Sequence, residues 1–312
     1  MIREYPLSGV GRVCNILGKQ RQAYYKAEKR TEKSEFKGEL VLEEIEKIRQ
    51  LQPRIGCVKL HHQLRDFLQS HKIKLGEKKL RVLLKRHGLL KPHRRKIAKT
   101  TFSGHGFWIY KNLVKDVKVT QSEQVWVSDI TYVKSNHGFS YLSLITDAYS
   151  RKIIGWSLRN DLCLEGPLEA LKMAMKNRRY PKRELIHHSD RGIQYCSRAY
   201  IKLLKKYKAK ISMTQSGNPY DNALAERMNN TIKNEFLEGR GIMDLSSGKQ
   251  QLAQIIWVYN ECRLHWSLDF KTPEQVHQHD LRVKKRWKKV DWELRKKRKK
   301  EIDLEKMQYY RY

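Results

Sequence analysis

The stretch "VWVSDITYV", residues 125–133, alternates apolar and small polar side chains and is rich in β-branched and aromatic residues. A period of two with that composition predicts a β-strand. Asp129 breaks the pattern, because aspartate is depleted in strands and here shares a face with Val125, Val127, Thr131 and Val133. Burying even an uncharged polar group there without a partner costs about 2–7 kcal/mol. A hydrogen bond from a neighbouring loop would remove that cost, and so would a metal ion.

Working outward, "FSYLSLITDAYSRKIIGWSL" reads as two more strands around a turn at Asp147 to Arg151, and "GPLEALKMAMKN" as a helix. The strand "ELIHH", a helix in "SRAYIKLLKKY", the strand "AKISMTQS", the loop "GNPYDN" and a long helix from about Ala223 follow. Residues 252–266 close the run as a last helix holding Trp257, Tyr259 and Trp266. Several strands and then alternating helices and strands predict an α/β domain with a mixed sheet.

Upstream the period is helical. "LSGVGRVCNILGKQRQAYYKA" predicts a short helix-turn-helix, the charged run Glu28 to Lys37 a linker, and "LVLEEIEKIRQ" a helix with Val41, Ile45 and Ile48 on one face. Two further helices are expected in "VKLHHQLRDFL" and "GEKKLRVLLKRHGLL"; in the latter Leu80, Leu83 and Leu84 form the apolar stripe and Gly88 the C-terminal cap. Lys78, Arg81 and Lys85 fall at i, i+3 and i+7 on that helix, the layout of a major-groove recognition helix. A solvated charged face is an equally ordinary reading of the same spacing. Lys91, Arg94, Arg95 and Lys96 in "KPHRRKIAK" suit a strap along a phosphate backbone. The divisions are 1–37, a short helix-turn-helix and linker; 38–98, a helical DNA-binding domain; 99–120, a linker; 121–268, the α/β core; and 269–312, a basic tail whose charge also suits a solvated arm.

Charge points to a partner. Against 33 Asp+Glu stand 66 Lys+Arg, a formal +33, and such a surplus favours a polyanion, nucleic acid first. No segment approaches the roughly 18 apolar residues of a spanning helix, which speaks against a membrane role. The start lacks the charged-then-apolar layout of a signal peptide, so a cytoplasmic protein is expected. Cys14, Cys57, Cys163, Cys196 and Cys262 are scattered with no CxxC pair, which predicts reduced thiols and neither a disulfide framework nor a zinc module.

Two more carboxylates join Asp129. Asp190 in "HHSDRGIQY" lies at the exit of the strand "ELIHH", and Glu226 lies on the helix behind the N-cap candidates Asp221 and Asn222. Taken singly each has a bland role: a loop acceptor, a turn closer, a first-turn helix charge. Converging at one edge of the sheet, they would suit phosphodiester chemistry on two divalent ions, with hard oxygen ligands selecting Mg²⁺ and Mn²⁺ as a substitute. Lys233, seven residues after Glu226, shares its helix face and could bind the backbone of the DNA being cut.

The sequence around these positions resembles the retroviral-integrase-like DDE transposases, and among them the insertion-sequence-three family of bacteria. "WVSDITYV" is similar to that family's first-Asp strand, "HHSDRGIQY" to its second-Asp motif, "SGNPYDNALAERMNNTIKNEF" to its Glu motif with the basic residue seven places on, and "YNECRLHWSLDFKTPEQV" to its C-terminal signature. "RIGCVKLHHQL" and "KKLRVLLKRHGLLKPHRR" resemble the helical DNA-binding domain that precedes it, so the likeness spans roughly residues 40–278.

The resemblance implies a ribonuclease-H-like core with Asp129, Asp190 and Glu226 as catalytic metal ligands. It also implies Mg-dependent nicking at element ends, then attack of the freed 3′-hydroxyl on another phosphodiester. The partners implied are double-stranded DNA as ends and target, further copies of the chain, and an upstream-frame protein. His188 would support the site from behind, and Arg191 is open between a phosphate contact and a structural role. Asp147, Asp161 and Asp221 do not match the triad and read as turn and cap residues; Gln194 and Tyr195 would orient the loop beside the site, and Asn222 and Asn229 are lesser DNA-contact candidates. A noncatalytic DNA-binding regulator and a structure-selective nuclease are the rival functions.

Overall fold

The computed structural model describes residues 9–90, 108–115, 117–136, 138–215, 222–238 and 241–283, of which 30–35 by backbone alone. The alternating stretch forms β1 (Val125–Ser135), antiparallel to β2 (Gly138–Asp147), which is antiparallel to β3 (Ile153–Arg159). On its other edge β1 runs parallel to β4 (Ile186–Ser189), and β4 to β5 (Lys210–Met213), giving the mixed order β3-β2-β1-β4-β5.

Helices cover both faces, as parallel pairing requires. On one, Trp126, Ile145 and Ile154 pack with Leu171 of α6 (Glu165–Lys176), with Tyr195 and Cys196 of the short α7 (Ile193–Cys196), and with Tyr200 and Leu204 of α8 (Arg198–Lys206). On the other, Val133, Leu142 and Leu144 pack with Met228 of α9 (Ala223–Thr231) and with Leu252, Ile256 and Tyr259 of α10 (Leu245–Glu261). Asp129 stands opposite Leu144, on this second face. The turn after β2 is held by Asp147, whose buried carboxylate accepts the N–H groups of Glu123 (2.6 Å) and Ser150 (2.7 Å), the turn role expected of it. Asp161 instead pairs with Arg159 at 2.9 Å, and Asp221 lies outside the described residues.

The structure corrects three expectations. The run Glu28 to Lys37 is not a linker: α1 (Val10–Ile16) is followed by α2 (Arg21–Leu51), one continuous helix. That run holds no Gly or Pro and is built of good helix formers with interspersed opposite charges, so high charge density hid a strong helix. The long helix from Ala223 passes at Ile232 into a π-helix, Ile232–Leu237, whose wide turn seats Ile232, Phe236 and Leu237 together in the core. The last core helix starts earlier than expected, where Asp244 caps it by accepting the N–H groups of Ser246 and Ser247. It ends at Glu261, leaving Trp266 in a separate 3₁₀ turn, and α11 (Pro273–His279) follows.

The N-terminal helices build their own core: Val41 and Ile45 of α2 pack with Leu60 of α3 (Cys57–Gln63), Leu68 of α4 (Arg65–Ser70), and Leu80 and Leu84 of α5 (Glu77–Arg86). Gly88 caps α5 at φ 64, and the Leu89 N–H returns to the Leu84 carbonyl at 2.8 Å. This unit docks on the far end of α10. Gln52 and Gln63 both donate to the Cys262 carbonyl, Arg54 pairs with Glu238, and His62 stacks on Phe270. All five cysteines are free, and among the described residues no helix is long and apolar enough to cross a membrane.

Gly155 sets the approach of α6 to the sheet, since a Cβ there would lie 2.1 Å from the Ala170 carbonyl oxygen and 2.8 Å from the Ala174 Cβ. Gly155→Ala is therefore expected to destabilise the core by about 1–3 kcal/mol through overpacking. Chemical unfolding of the two proteins checks it, and an unchanged midpoint would show that α6 yields without strain.

Candidate active site

Register brings the first two carboxylates together. The last paired positions of β1 and β4 are Ser128 and Ser189, so Asp129 and Asp190 come next in both chains, on strands about 4.8 Å apart. They sit at the carboxyl end of parallel β4, where open α/β sheets place ligands. The third comes from α9, which crosses that face with Ala225 packed against Val125 and Val127 and Glu226 beside it.

The Asp129 carboxylate is half-buried and held at both oxygens. Oδ1 accepts the Ile130 N–H at 3.0 Å, and Oδ2 accepts from the Asn229 side-chain amide at 2.9 Å. Burial, then the negative charge of Asp190, push its pKa up to about 7; the bonds from Asn229 and Ile130 pull the other way, and Glu226 adds to the rise. Asp190 Oδ1 accepts the Gly192 N–H at 2.9 Å, which closes the turn out of β4. Below it the Tyr195 hydroxyl accepts from Ser128 Oγ at 3.1 Å, and Gln194 donates to the Leu162 carbonyl at 3.0 Å, so both anchor the loop as expected.

Lys233 reaches the same patch from the π-helix. Its ammonium donates to Thr131 Oγ1 at 3.3 Å and lies 4.3 Å from the centre of the Tyr132 ring. Burial lowers its pKa, and the charge of Asp129 works against that lowering. Asn222 and Asn229, expected as lesser DNA contacts, point inward instead: Asn222 donates to the Ser128 carbonyl at 3.1 Å. Their positions four before and three after Glu226 were the available signal, because that spacing puts all three on one helix face.

Other expected residues fall elsewhere. The His188 ring bonds Ser212 Oγ of β5 at 2.8 Å, on the same sheet face as Asp129 but between strands. Arg191, open between a phosphate contact and a structural role, has the structural one in the fold: its guanidinium donates to the Thr214 carbonyl at 2.8 Å and to that of Gln215, tying the exits of β4 and β5. Lys78, Arg81 and Lys85 are all exposed on α5, with Val82 exposed among them. Lys91, Arg94, Arg95 and Lys96 lie outside the described residues.

In kind, the donors suit a hard divalent cation, which would offset the mutual repulsion that raises Asp129. In spacing they are looser: among the described residues no three His, Cys, Asp or Glu side chains are gathered closely enough to hold an ion. Coulombic coupling reaches further than a coordination bond, so the two observations are compatible.

Models of the integrase core domain match residues 119–219 and 207–273. The transposase InsF for insertion sequence IS3A of Escherichia coli (strain K12) is 32% identical over 220 residues, 70% of this chain and 76% of that protein. The transposase for insertion sequence element IS904 of Lactococcus lactis is 33% identical over 171 residues, 54% of this chain and 67% of that protein. Among solved structures, the HTLV-2 integrase catalytic core in complex with magnesium is 20% identical, covering 51% of this chain and 99% of that one at a TM-score of 0.42.

A carboxyl whose pKa rises from 3.8 to about 7 on folding makes the folded state bind the extra proton. Its contribution to stability is full below about pH 4 and is lost as pH rises to about 7. Asp129→Asn removes that loss. In chelator, the variant is expected to melt above the parent at pH 8 and to converge with it towards pH 4. Parallel curves across that range would mean that Asp129 is not the strained group.

Proposed function

We propose that this chain cuts DNA at the ends of a mobile element and joins the freed ends, and the premise is family: it belongs to the integrase-core transposases of insertion sequences. The observation that carries the finer reading is the matched register of Asp129 and Asp190, with the Glu226 charge felt at the same carboxylate.

Asp129, Asp190 and Glu226 would hold two divalent ions, Mg²⁺ with Mn²⁺ as a substitute. Bound there, the metal supplies Lewis-acid charge and a lowered pKa for the attacking water or 3′-hydroxyl, the chemistry that hydrolysis and strand transfer share. The protein's own part is placement. Asp190 is fixed by the turn at Gly192, Asp129 by Asn229 and Ile130, and Lys233, bonded from the π-helix to Thr131 two residues further along β1, would be a cation for the scissile strand's backbone. Two element ends must meet for joining, so a multimer follows from the chemistry, and an upstream-frame partner belongs to the same proposal.

The helical domain, residues 38–98 in this proposal, supplies affinity. Its docking contacts come from Gln52, Arg54, His62 and Gln63, leaving the cationic arc of α5 exposed to a duplex. The reaction would run in the bacterial cytoplasm, on nucleoid DNA.

Two experiments test this. Asp190→Asn and Glu226→Gln are expected to lose Mg²⁺-dependent cleavage and joining of element ends while keeping the parent's affinity for the same duplex. Retained joining would overturn the assignment of these ligands, and cleavage of branched DNA without joining would favour a nuclease. Replacing Lys78, Arg81 and Lys85 with Ala is expected to lower the slope of log affinity against log salt by roughly 0.9 for each phosphate that the variant no longer neutralises. An unchanged slope would make that face merely solvated.

A further inference from the structure

Helix α9 and the π-helix after it are fastened to β1 by three polar bonds in ascending order along the strand. Asn222 donates to the Ser128 carbonyl, Asn229 to Asp129 Oδ2, and Lys233 to Thr131 Oγ1. Only the middle bond ends on one of the three carboxylates. Asn229 is 4% exposed, and its own amide oxygen is buried with no partner among the described residues. The reverse amide orientation would set that oxygen against a carboxylate oxygen, so the donor is assigned by its surroundings. The Asn222 oxygen is orphaned in the same way, so what sets Asn229 apart is where its donor ends: an apolar side chain of similar size would spare the orphaned oxygen and leave Asp129 Oδ2 without its bond.

The work such a residue does is visible at its neighbour. A carboxylate flanked by two like charges lowers its energy by rotating away from them, and Asp129 is flanked by Asp190 and Glu226. The Asn229 amide and the Ile130 N–H each take one oxygen, which fixes the side chain against that rotation. We propose that Asn229 is a positioning residue that holds the Asp129 carboxylate turned towards α9 for metal binding. This rests on reading Asp129, Asp190 and Glu226 as the metal ligands. Asn222, which holds a backbone carbonyl, serves the fold and not the ligand.

The test is a Mg²⁺ titration of the full chain, free of DNA, followed by thermal shift. Asn229→Leu keeps the bulk and removes the donor; Asn229→Ala is the second variant should leucine not be accommodated. Loss of a group that orients a ligand costs about 10–100-fold in metal affinity, so half-saturation is expected to move up by that factor. Asn222→Ala is expected to lower the metal-free melting temperature and leave half-saturation where it was. If the parent shows a Mg²⁺ shift that Asp129→Asn abolishes, yet both Asn229 variants half-saturate with the parent, the positioning role is overturned and the triad stands. If the parent shows no Mg²⁺ shift, or Asp129→Asn keeps it, the ligand reading itself fails.

Discussion

Mutual repulsion among carboxylates at the mouth of the sheet is the constraint around which the core is arranged. Asp129 sits on an apolar face opposite Leu144, with Asp190 one strand away and Glu226 on the helix above. Nothing in folding favours such a grouping, since burial and like charge both press the proton back onto Asp129. The fold sustains it through the parallel β1/β4 register, which fixes two of the backbones, and through α9, which is bonded to β1 along its length. Strain kept in place by the surrounding structure is the usual mark of a functional site.

The chain as a whole carries a net charge of the opposite sign, +33. The helical unit makes its own core from α2 to α5, and it meets the α/β core through amide, ionic and stacking contacts instead of a broad apolar seam. A polar junction lets each body keep its own stability, and the cations of α5 stay exposed. Under the proposed function this division would have a use: a cationic surface would gather phosphate, and the small acidic patch would gather hard cations.

Much of this was legible in the residues. The period-two stretch at 125–133 marked β1, the anomaly at Asp129 marked a carboxylate under the influence of Asp190 and Glu226, and Lys233 reaches the same strand at Thr131. Three kinds of feature were hidden. Charge density at Glu28 to Lys37 masked an uninterrupted helix, because a reading for linkers weights polarity over the absence of Gly and Pro. The π-helix at Ile232–Leu237 has no local signature and arises from the need to seat three apolar residues at once. The partners of Arg191 and Asn229 are 23 and 100 residues away in sequence, beyond any local pattern, so the role of Arg191 stayed open and Asn229 read as a lesser DNA contact until the strands were paired.

The central claim is that Asp129, Asp190 and Glu226 share one metal site. The most direct measurement is a crystal structure of the protein soaked in Mn²⁺, with anomalous difference density located. The account predicts a peak bounded by those three carboxylates. Peaks confined to other parts of the molecule, with Asp129 still held by Asn229 and Ile130 alone, would contradict it.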